Sequence, residues 1–83
     1  MKFSERNEIL KGIVERCGAI HAKYTSTAKE LTEGDWSKYI SLMDDIAGEY
    51  KETSIADFAG QICMAYLNDT ELVQKKLKEV ERT

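Results

Sequence analysis

The stretch "SIADFAGQICMAYLND", residues 54–69, decides how the chain folds, because it reads as a helix with almost no polar side. At helical spacing its polar residues Asp57, Gln61 and Asn68 fall within a stripe only about 40° wide, and the rest of the circumference is apolar or small. Ile55, Phe58, Ile62 and Tyr66 make a bulky face. Ala56, Cys63, Met64 and Leu67 make a smaller-residue face that permits close approach. A helix apolar nearly all round belongs in the middle of a bundle or against a partner.

Working outward, the flanking segments also have helical phase. Ser54 followed by Asp57 resembles an N-cap signature for this helix, and Asp69 or Thr70 can cap a further one whose apolar stripe is Leu72, Val73, Leu77 and Val80. Upstream, Asp35 can cap a helix with Trp36, Tyr39, Ile40, Leu42, Met43, Ile46, Ala47 and Tyr50 on one side. Lys38, Ser41, Asp45, Glu49 and Glu52 take its other side. From Ser4, apolar residues recur at Ile9, Leu10, Ile13, Val14, Cys17, Ile20, Tyr24, Ala28 and Leu31. Their phase carries through "YTSTAK" to Gly34, which predicts a first helix about 43 Å long. A break near Thr27, with Glu30 completing a capping box, is the alternative.

The expectation is one all-α domain spanning 1–83, a small antiparallel bundle of three to four helices over about 5–33, 36–52, 55–67 and 70–82, the first one long. Proline is absent and only five glycines interrupt the chain, which favours helix throughout. Eighty-three residues lie near the lower size limit for a single core, so surplus apolar surface is informative.

Charge and composition narrow the function. The net charge of −3 divides as +1 over residues 1–33, −5 over 34–69 and +1 over 70–83, so the acidity is a central patch. An acidic chain disfavours nucleic acid as a partner. The apolar run Phe58–Leu67, interrupted by Gln61, is too short to cross a bilayer, and "MKFSERNEIL" lacks the apolar segment of a signal peptide. Two cysteines without a dense framework point to a reducing cytoplasm.

Cys17 and His21, one helical turn apart, with distant Cys63, are the best constellation for metal-ligand chemistry. No second local pair completes a tetrahedral set. Cys17 lies near the centre of its helix's apolar arc, as an inert core thiol does, and His21 sits inside that arc as a half-buried histidine satisfied by a neighbour. Asp45, Glu49 and Glu52 share an outward face without a calcium-loop pattern. Gly12 and Gly18 match no phosphate-binding fingerprint. No catalytic, cofactor-binding or metal-ligating residue is therefore assigned, and no cofactor is expected.

What remains is a non-enzymatic helical protein–protein interaction module whose target no motif identifies. Its expected partner is a second copy, as a homodimer, or another protein, because the third helix needs more cover than an 83-residue monomer supplies. Ala56, Cys63, Met64 and Leu67 are its expected interface. In size and acidity the chain is similar to small bacterial accessory, phage-borne and immunity-type proteins, an analogy that carries no residues across. The alternative function is a helix-turn-helix-like DNA-binding regulator using the last two helices, with Lys75, Lys76, Lys78 and Arg82 as its cations. Glu71, Glu79 and Glu81 nearly cancel them.

Overall fold

The computed structural model describes residues 2–26 and 29–81, and in them the chain forms three helices and no strand. These are α1 (Phe3–Thr25), α2 (Glu33–Glu49) and α3 (Ala56–Glu81).

The all-helical expectation holds, and several of the expected boundaries do not. The first helix stops at Thr25 instead of running to Glu33. Thr25 Oγ1 donates to the His21 carbonyl at 2.8 Å, and the Ser26 N–H closes on Ala22 at 2.9 Å. Hydroxyl side chains compete for backbone groups in this way, which makes a Ser/Thr run a poor place to continue a helix. Thr27, the alternative break point, and Ala28 lie outside the described residues. Beyond them the backbone is held from a distance: Gln74 of α3 accepts from the Leu31 N–H at 2.8 Å and donates to the Lys29 carbonyl at 3.2 Å.

α2 then opens on a capping box one turn earlier than Asp35. Thr32 Oγ1 accepts from the Asp35 N–H at 3.1 Å, and Asp35 Oδ2 accepts from the Thr32 N–H at 3.0 Å. Asp35 is thus the third helical residue, not the cap, and Gly34 lies inside the first turn. α2 ends near Tyr50, where Thr53 Oγ1 donates to the Tyr50 carbonyl at 2.7 Å and accepts from the Ile55 N–H at 3.1 Å.

The expected third and fourth helices are one. "LND" and Thr70 stay helical, and the side chains of Asp69 and Thr70 find partners within the bundle. Asp69 meets His21 at 2.7 Å, and Thr70 Oγ1 bonds back to the Tyr66 carbonyl at 3.0 Å while meeting the Tyr39 hydroxyl at 2.7 Å. With no turn in residues 56–81, the helix pair needed for a helix-turn-helix is missing.

Side-chain pairings give the topology. Cys17 meets Cys63 and His21 meets Asp69, so α1 and α3 run parallel. Arg16 meets Glu49, Tyr24 stacks on Tyr39, and Cys63 reaches Met43, so α2 runs antiparallel to both. The up-down-up bundle measures 53 × 20 × 16 Å. Its core is Ile13, Cys17 and Tyr24 of α1, Tyr39, Met43 and Ile46 of α2, and Ile55 with Ala59 and Cys63 along α3. Gly18 lets the Tyr66 ring approach α1, since a Cβ there would lie 3.1 Å from the Tyr66 hydroxyl. Among the described residues every buried side-chain nitrogen or oxygen has a hydrogen-bond partner.

Candidate functional site

The reactive side chains are turned to structural uses. Cys17 and Cys63 are free thiols in the core, with sulfurs 3.7 Å apart. Cys63 donates to the Met43 carbonyl at 3.4 Å, which leaves Cys17 to donate to Cys63. Burial pushes the Cys17 thiol up to about 12, with its hydrogen bond to Cys63 acting in the same direction, and burial also raises Cys63. A thiol so disposed is neutral at physiological pH and a poor nucleophile.

His21 Nε2 lies 2.7 Å from Asp69 Oδ2, and its ring packs on Tyr66 at a centroid distance of 4.8 Å. Its bond to Asp69 takes its Nε2 away from the cysteines. Among the described residues no three His, Cys, Asp or Glu side chains gather as metal ligands would. Asp45, Glu49 and Glu52 are exposed, and Glu49 pairs with Arg16 at 2.6 Å across the α1–α2 seam.

The surface departs from this order at a groove of about 410 Å³ between α2 and α3. Trp36, Ile40 and Asp44 line it from α2, and Met64, Leu67, Asn68 and Glu71 from α3. Ile40 is 43% exposed and Met64 55%, while Trp36 and Leu67 are half-buried. The groove follows from the width of the α2 stripe. At 100° per residue the apolar positions of α2 span about 160°, from Leu42 to Ile40, more than the contacts with α1 and α3 enclose. Tyr39 and Met43 take the centre. Ile40 is left on the rim.

No protein-family model, curated protein or solved structure matches the chain. The four expected interface residues are divided: Met64 and Leu67 line the groove, Ala56 is half-buried on the adjoining outer face of α3 with Gly60 and Ala65, and Cys63 is enclosed in the core. Half-buried Trp36 and exposed Ile40 line the groove although periodicity assigns both to the core side, and no signal in α2 alone tells which part of its wide arc the neighbouring helices leave uncovered. Among the described residues no helix is long and apolar enough to cross a membrane.

Proposed function

We propose that the protein is a non-enzymatic helical interaction module that binds a protein partner through the α2–α3 groove. The observation that carries this reading is the exposure of Ile40 and Met64 beside Trp36 and Leu67 in a bundle whose buried polar groups are otherwise satisfied. Large apolar side chains clustered at a concave surface mark interaction sites more often than scattered ones do. The raised thiols and the engagement of His21 by Asp69 support the non-enzymatic part, since neither supplies an activated nucleophile.

Self-association, expected from a shortage of cover for the third helix, loses part of its motive. α1 and α2 cover Ile55, Ala59 and Cys63 within one chain. The groove offers a partner two exposed large apolar side chains, Ile40 and Met64, on a concave surface. Replacing Ile40 and Met64 together by Lys tests the reading: the variant keeps the parent's helical circular dichroism and melting temperature, while cross-linking in native lysate loses the protein adducts that the parent forms. Adducts unchanged in the folded variant overturn the assignment.

A further inference from the structure

The groove is apolar at its floor and acidic at its rim. Asp44 and Glu71 line it from opposite helices. Glu33, one turn before Trp36, and Asp57, two turns before Met64, continue the same flanks. Lys75 and Lys78 follow Glu71 by one and two turns, so the cations stand at one end only. Residues 34–69, which supply nearly all of the lining, are the part of the chain that carries the −5 charge.

We propose that the groove receives a basic amphipathic helix from another protein. The proposal rests on the interaction reading above and names the chemistry of its partner. From Trp36 to Asp44 the floor extends about 12 Å at 1.5 Å per residue, which fits apolar anchors at i, i+4 and i+7 of a docked helix. Lys or Arg beside those anchors would reach Asp44 and Glu71. Charge of this kind selects the partner and speeds encounter more than it adds affinity.

A second copy of the chain fits less well. In a two-fold contact the same patch meets itself, so Asp44 and Glu71 of one protomer would approach the acidic rim of the other. Phosphate-bearing partners meet the same repulsion.

Trp36 is the only tryptophan and lines the groove, so its fluorescence reads occupancy directly. The probes are two synthetic tryptophan-free helical peptides of about 18 residues, a length of roughly 27 Å. Both carry Leu at the anchor positions; one has Lys on the flanks and the other Glu. At about 0.15 M salt the Lys peptide is expected to give a saturable blue shift of Trp36 with an affinity about tenfold above that of the Glu peptide, weakening as salt rises. Asp44→Lys with Glu71→Lys should reverse the preference. Ile40→Ser with Met64→Ser should abolish the shift, which separates docking from simple attraction to an acidic surface. Circular dichroism on both variants checks that they remain folded.

Equal binding of the two peptides, or Lys-peptide binding that survives Ile40→Ser with Met64→Ser, overturns the proposal. A Trp36 shift that grows with protein concentration alone assigns the groove to a second copy; it overturns the basic partner and leaves the interaction reading standing. If neither peptide nor a second copy reaches Trp36, both fall.

Discussion

Tyr39 is wholly buried, yet its hydroxyl lies 2.7 Å from Thr70 Oγ1 and 3.4 Å from the Tyr66 carbonyl. The ring supplies apolar bulk between Tyr24 and Trp36, and the hydroxyl is satisfied by a residue 31 positions away. We predict that Tyr39→Phe costs about 1 kcal/mol, because Thr70 keeps its bond to Tyr66. Thr70→Val should cost about 1–3 kcal/mol, since it leaves the buried phenol without its short partner. Urea denaturation of both single variants and the double variant measures the coupling, and strictly additive losses would refute it. The thiols make a second prediction at this scale. Cys17 titrates near 12 when folded, against about 9 for an ordinary thiol, so the folded state holds its proton where the unfolded chain releases it. Its contribution is intact below pH 9 and is lost as pH rises towards 12. Denaturation curves from pH 7 to about 11 should show this decline, flattened in Cys17→Ala with Cys63→Ala.

The helices show what was legible in the sequence. Apolar phase located the inward residues Ile13, Cys17, Met43, Ile46 and Ile55, because the 3.6-residue period is a local property. Helix ends were less legible, being decided across the bundle. Gln74 holds the backbone at Lys29 and Leu31 from 45 and 43 positions away, and Thr70, read as a cap from its composition, is a buried helix-interior residue because Tyr39 stands opposite. Met64 could be recognised at the edge of the polar stripe. Ile40 could not, because a single helix does not reveal how much of a wide apolar arc its neighbours will cover. Two substitutions test the observed ends. Thr32→Ala removes one half of the capping box and should cost about 1 kcal/mol. Gln74→Ala leaves the Leu31 N–H without its acceptor and should cost about 1–3 kcal/mol, with faster amide exchange at Leu31. A loss in both variants below about 0.3 kcal/mol would mean that neither contact defines the turn between α1 and α2.

At the scale of the whole molecule, three helices give a rod 53 Å long, narrow enough that each helix has a large share of its circumference on the surface. The groove is a concave part of that surface where large apolar side chains from two helices come together, with Ile40 and Met64 exposed. Local satisfaction elsewhere makes it conspicuous: Arg16 answers Glu49, and His21 answers Asp69. The parallel pairing of α1 with α3 also orders events during folding. α2 and α3 meet through the Met43–Cys63 contact, 20 residues apart in sequence, after one short turn. α1 reaches α3 through Cys17 and Cys63, 46 residues apart, and the longer closure costs about 0.7 kcal/mol more in chain entropy. The antiparallel contacts of α2, with α1 through Tyr24 and Tyr39 and with α3 through Met43 and Cys63, should therefore be structured in the transition state before α1 docks along α3. Stopped-flow chevrons would record this as slower folding for Met43→Ala but faster unfolding, at nearly unchanged folding rate, for Gly18→Ala and Cys17→Ala. The opposite division would put the α1–α3 contact in the nucleus. If α2 and α3 pair before α1 docks along α3, Trp36, Ile40, Met64 and Leu67 come together while that third contact is still open, so the groove would exist transiently on a partly folded chain and a partner could engage it before the bundle closes.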